Sequence, residues 1–174
     1  MKKLIPFFLI AFFATFTLTS CNNDDNNNYV DNDTVAVVYD IKNTNFTINN
    51  NGDLTVSGTF QNPIYGSDMI LIYRQEGSVN GNPIWGLIPK VYRTPNGGAV
   101  EYTNDFTRED FQIYLDLYTD QTEDVSNFTN NQSFRVLIVP AILGRNEVFP
   151  VDFSDYQSTV NYYNLNNAKV INLK

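Results

Sequence analysis

The sequence predicts an all-β protein: an antiparallel β-sandwich, immunoglobulin-like in architecture, with one short helix near 154–163. Three observations lead there. Apolar residues recur with period two over several stretches, which marks strands with one buried face. Two other stretches are apolar on both faces, as central strands are when covered from two sides. Asn, Gly and Pro gather between these stretches, at a spacing that suits short strands and tight turns.

Taken in chain order, Val35, Val37, Tyr39 and Ile41 form the first alternating series. Asn51-Gly52 is a hairpin signal joining 44–49 to 53–60. In the second of these, Leu54, Val56, Gly58 and Phe60 alternate with Thr55, Ser57 and Thr59. Met69-Ile70-Leu71-Ile72-Tyr73 reads as a central strand, and so does Phe134 with Val136-Leu137-Ile138-Val139. Asn62-Pro63, Gly81-Asn82-Pro83 and Pro95-Asn96-Gly97-Gly98 mark turns. Phe111, Ile113, Leu115 and Leu117 point one way, Gln112, Tyr114, Asp116 and Tyr118 the other. Phe153, Tyr156, Val160 and Tyr163 follow helical spacing, with Asp152 or Ser154 available as the cap. A last strand is expected at 168–173. Residues 31–174 suit a single domain of ordinary size.

Ahead of that domain the chain carries an address. Lys2 and Lys3 precede an uncharged apolar run from Leu4 to Thr19, the length of a secretory signal and short for a bilayer span. The run ends in Leu18-Thr19-Ser20-Cys21, which resembles a bacterial lipobox. Residues 1–20 are therefore expected to be a signal peptide, cut between Ser20 and Cys21, with lipid on Cys21 holding the mature chain to the outer membrane. Residues 21–30 follow as a tether rich in Asn and Asp, too polar to bury surface. Acidic residues directly after the lipidated cysteine resemble export signals, which favours display on the cell surface over the periplasmic face.

Composition excludes several function classes. Cys21 is the single cysteine, so the mature chain has no internal disulfide and, once acylated, no free thiol. There is no histidine, which removes imidazole bases and His-rich metal sites. Removing Lys2 and Lys3 with the signal takes the 11 basic residues to 9 and the net charge from −8 to −10. With no basic block in the chain, nucleic acid is not an expected partner. Phosphate-binding loops and the G-x-S-x-G elbow are absent, and no cofactor or metal is expected.

With the strands in view, the chain resembles a family of small, uncharacterised bacterial lipoproteins. The resemblance spans roughly 44–173 and rests on MILIYRQEG at 69–77, PIWGLIPKVY at 83–92, DFQIYLDLYTD at 110–120 and NNQSFRVLIVPA at 130–141. Some relatives carry a Gly-x-y tract before the domain and are labelled collagen-like for it; here the Asn/Asp tether stands in that place. The family has no assigned activity, so the resemblance implies a lipid-anchored domain and no catalytic residue.

Candidate chemistry then rests on aromatics and charges. Trp85, placed between two turn signals, and Tyr114 and Tyr118, on the polar face of their strand, are candidate ligand-binding residues, since exposed aromatics stack on sugar rings or peptide side chains. The alternative is that Trp85 packs in the core and the tyrosines cover neighbouring strands. Asp116, Asp120, Glu123 and Asp124, with Asp105, Glu109 and Asp110, are candidates for a paired-carboxylate glycosidase or for solvated loops. The loop 119–126 also offers hard oxygen ligands for calcium, though its spacing fits no EF-hand. Arg74 and Arg135 sit in apolar strands, either paired with carboxylates or lining a pocket for an anion. Asp33-Thr34-Val35 resembles a bacterial O-glycosylation site on Thr34.

Three functions compete. One is a non-enzymatic binding or interaction module of the cell envelope, for a protein or glycan partner. The second is a structural accessory of an outer-membrane complex. The third is a carboxylate-dependent glycan hydrolase.

Overall fold

A computed structural model describes residues 36–140 and 151–173. The expected signal peptide, Cys21, the tether and Thr34 lie outside them. All described residues fall in one compact unit, Asn32–Lys174.

The architecture is the all-β sandwich that the alternation predicts. Among the described residues, ten strands form two five-stranded sheets. The first sheet has the order β10-β1-β9-β4-β5, from Val170–Leu173, Val37–Thr44, Gln132–Pro140, Asp68–Val79 and Asn82–Ile88. The second has the order β2-β3-β8-β7-β6, from Thr47–Ile48, Leu54–Thr59, Asp110–Tyr118, Ala99–Phe106 and Lys90–Arg93. Neighbouring strands are antiparallel except β1 and β10, which run parallel with Val38 opposite Val170. The carboxy-terminal strand thus closes the sheet beside the first strand.

The core lies between the sheets. Tyr39, Ile72, Phe134 and Val136 of the first sheet meet Val56, Tyr102, Phe111 and Ile113 of the second. A second cluster sits on the opposite face of the first sheet, where Val38, Tyr73, Leu137 and Val139 pack under Val160 and Leu165. Those two come from the α-helix Tyr156–Tyr162 and a following 3₁₀ turn, Leu165–Asn167. This cover explains why β4 and β9 are apolar on both faces: β9 is the middle strand of a sheet buried from two sides.

Several details depart from expectation. The helix is shorter than 154–163, and its cap is Asp155, which accepts from the backbone N–H groups of Gln157 and Ser158. Asp152 instead takes the amide and hydroxyl of Ser154, which shapes the preceding turn. A one-turn helix, Ser126–Thr129, was not expected; it precedes β9 and is α1 here, making Tyr156–Tyr162 α2. The turn placed at Gly81-Asn82-Pro83 falls one residue earlier, on Asn80 and Gly81, both with positive φ. Asn82 and Pro83 already belong to β5, an edge strand, where proline's missing N–H leaves no ladder bond unmade. Trp85, between the two turns, is a strand residue opposite Gln75.

Candidate functional site

Position in the ladder decides which side chains share a surface. On β4, Ile70, Ile72 and Arg74 face the core between the sheets, while Tyr73 and Gln75 face outward. On β9, Ser133 and Arg135 face outward with them. A bulge at Gln75–Gly77 then makes Glu76 an extra residue on β4. Its carboxylate Oε1 accepts from Lys90 Nζ and from the Tyr92 hydroxyl. A Cβ on Gly86 would overlap this carboxylate, so the glycine leaves it room.

Arg74 is 8 % exposed and sits at one end of the sandwich. Its guanidinium carbon lies 4.8 Å from the Tyr102 ring centre, 4.9 Å from that of Tyr92 and 5.9 Å from that of Phe128. Its Nε donates to Gln132 Oε1 at 2.9 Å. Among the described residues no carboxylate lies within 4.0 Å of it. The cation is stabilised by aromatic faces and one neutral amide.

Arg135 solves the same problem differently. It stands directly opposite Asp40 on β1 and grips it with two bonds, Nε to Oδ1 at 2.7 Å and Nη2 to Oδ2 at 2.8 Å. Its third nitrogen donates to the Tyr156 hydroxyl of α2 at 2.6 Å, and its plane lies 4.8 Å from the Trp85 ring centre. Asp40 is 2 % exposed. Hydrogen bonding to Asp40 raises the Arg135 pKa above its already high ordinary value.

These residues border two concavities. The first, of about 530 Å³, has the cation Arg74 and the carboxylate Glu76 in its lining and is otherwise dominated by amides: Asn43, Gln75, Asn127, Asn130, Asn131 and Gln132. The second, of about 270 Å³, is lined by Trp85, Arg135, Lys42 and Asp40 on the outer face of the first sheet. Both include Asn43, Gln75 and Ser133, so they adjoin across a shared rim. Asn43 and Asn131 hold left-handed backbone conformations, at φ of 53° for each, which Asn tolerates better than most residues. Volumes of this order suit a small ligand or a short stretch of a longer one.

The Glu76 carboxyl is drawn upward in pKa by partial burial, but the bonds from Lys90 and the Tyr92 hydroxyl, with the charges of Lys90 and Arg74, outweigh this and leave it below the usual carboxylate value. Burial raises the Tyr92 phenol, and Glu76 adds to the rise. Burial also pushes Tyr102 up to about 12, against the opposing charge of Arg74.

The three aromatic candidates do not come together. Trp85 borders the second concavity, half-buried beneath Arg135 and beside Tyr156. Tyr114 and Tyr118 lie on the outer face of the other sheet. Tyr114 donates to Asp105 and Tyr118 to Glu101, each one step diagonal to its cross-strand neighbour on β7. Tyr118, 59 % exposed, also borders a shallow concavity of about 450 Å³ with Asp120 and Glu123.

Several other carboxylates serve local structure. Asp110 and Glu109 accept from the Thr107 hydroxyl. Glu123 accepts from the Asn96 amide, and Asp124 from the Ser126 amide. Asp116 is exposed on the outer face of β8. Among the described residues no three Asp, Glu, His or Cys side chains group as metal ligands, and no helix is long and apolar enough to cross a membrane.

Sequence reasoning singled out Arg74, Arg135 and Trp85 but missed the amide lining. The signal was present in the run Asn127 to Gln132, whose Asn content reads locally as turn chemistry alone.

No family model, no curated protein and no solved structure matches the chain.

Proposed function

We propose that this protein is a lipid-anchored, non-enzymatic binding module of the cell envelope, which takes its ligand in the paired concavities at the end of the first sheet. The observation that carries the reading is their adjacency: a tryptophan-bordered hollow and an amide-rich cleft share the rim of Asn43, Gln75 and Ser133. Planar amides supply donors and acceptors side by side, as a polyhydroxyl or peptide ligand requires. The side-chain amides of Asn43, Asn127 and Asn131 face water on exposed residues and are available to such a ligand. The lipobox at Leu18–Cys21 supports the anchor, at the outer membrane and on the cell surface, with the 21–30 segment as spacer.

Trp85 is the single tryptophan of the chain, so its fluorescence reports on this site without a label. Titration with a panel of oligosaccharides and extended peptides, read by fluorescence and calorimetry, is expected to give saturable binding. Asn127→Ala and Gln75→Ala should weaken it at least tenfold, whereas Tyr114→Ala on the other sheet should not. A panel with no saturable binding sinks the reading. The anchor is checked separately: Cys21→Ser should abolish labelling by a palmitate analogue and release the domain from the membrane fraction.

A further inference from the structure

We infer that the cleft lined by Arg74 receives the carboxylate of an acidic oligosaccharide, a uronate-containing glycan, whose neighbouring sugar crosses the rim toward Trp85. This rests on the binding reading above and names its ligand class.

Arg74 is a buried cation that, among the described residues, no carboxylate touches. Burying a guanidinium is costly unless it is paired, and the sister residue Arg135 shows the usual solution, a bidentate carboxylate. Arg74 is the more deeply buried of the two and has no bidentate partner. Its polar neighbours are Gln132, Tyr92 and Tyr102, all neutral. The Glu76 carboxylate borders the same cleft and feels the charge of Arg74, but Lys90 and the Tyr92 hydroxyl hold it. Arg74, Lys90 and Glu76 together leave this corner with one positive charge in excess, in a chain whose net charge is −8. An acidic protein with a buried local cation at the wall of an open cleft is built to accept one anionic group there and to repel anions elsewhere.

The rest of the lining says what carries that group. A small inorganic ion would leave most of a 530 Å³ cleft to water. Amides from β4, the α1–β9 segment and β1 line the same cleft, and side-chain amides supply the donors and acceptors that vicinal hydroxyls need. Beyond the rim, Trp85, half-buried with Arg135 over its ring, forms an apolar part of the wall beside Gln75 and Ser133, and a sugar ring has both an apolar face and a polar edge to set against such a wall. Carboxylate, hydroxyls and an apolar ring face occur together in a uronate oligomer.

The test compares uronate oligomers of several linkages with their methyl esters, which keep the hydroxyls and lose the charge. Binding to the full domain is followed by calorimetry and Trp85 fluorescence. The acids are expected to bind at least tenfold more tightly than their esters, with an affinity that falls as salt rises. Arg74→Gln should erase that preference; because this variant also disturbs the aromatic cage, its folding is checked by thermal unfolding, and the acid-to-ester comparison on the native protein decides. Equal affinity for acid and ester overturns the inference and leaves the binding reading standing. Binding of neutral glycans or peptides without any uronate binding does the same. Failure of every glycan and peptide overturns both.

Discussion

At the scale of single residues, the chain holds one buried and one half-buried arginine by two different means. Arg135 and Asp40 form a charge pair within a sheet covered on both faces, and each compensates the other's loss of water. Asp40→Ala should therefore cost about 3 kcal/mol in urea unfolding, because it leaves Arg135 without its carboxylate. Asp40→Leu combined with Arg135→Met should recover much of that loss, since the penalty belongs to the unpaired charge rather than to the absent bond. Equal losses in the single and double variants would show that the pair adds net stability of its own. Arg135 was legible from sequence as a charge in an apolar strand, but its partner was not. Asp40 lies 95 positions away, and only the register of β1 on β9 brings the two together.

At the scale of elements, the strands follow local patterning and the close contacts follow pairing. Gly58 and Phe111 stand opposite each other on β3 and β8, and the phenyl ring lies across the glycine. A Cβ on Gly58 would come within 2.5 Å of Phe111 Cζ and 2.9 Å of Leu173 Cδ1. Phe111 is fully buried, so the ring has no open space into which to retreat. Gly58→Ala is expected to destabilise the domain by about 1–3 kcal/mol, the usual cost of forcing atoms into a filled core. A denaturant midpoint unchanged from wild type would show that the sheets separate there without strain. In the sequence Gly58 reads only as the small member of an alternating series; its role depends on the ring across the sheet.

At the scale of the whole molecule, three layers stack: α2 with its 3₁₀ turn, the first sheet and the second sheet. Tyrosines join them. Tyr73 donates from β4 to the Phe153 carbonyl, and its hydroxyl also meets that of Thr159 under α2 at 3.1 Å. Tyr102 donates from β7 to the Phe128 carbonyl of α1. Burial, partly opposed by the bond to Thr159, pushes Tyr73 up to about 12, and burial places Tyr102 at about 12. Both pKa values are raised in the folded state, so the stability they confer is complete below the unfolded value of 10 and is lost as pH rises toward 12. Each shift is worth roughly 2–3 kcal/mol. Tyrosinate absorbance should show these phenols ionising late, together with unfolding between about pH 10 and 12. Tyr102→Phe should remove one late-titrating group. Titration of every tyrosine near pH 10 with the fold intact would contradict the layered burial. The sheet edges are also managed at this scale: β2 has 2 residues, β6 and β10 have 4 each, and β5 carries Pro83, which leaves little free edge for another strand to pair with.

The sequence by itself determined the class of fold, the two central strands, the position of most turns and the presence of a helix after residue 153, because each rests on neighbours within a few positions along the chain. Alternation fixes which face of a strand is buried, and Asn, Gly and Pro fix where the chain reverses. Only the tertiary structure decided that Trp85 stands apart from Tyr114 and Tyr118, that the last strand runs parallel to the first, and that Arg74 and six amides from three separate segments share one cleft. Those outcomes depend on strand order and register between residues far apart in the chain, and no local pattern of side chains encodes them.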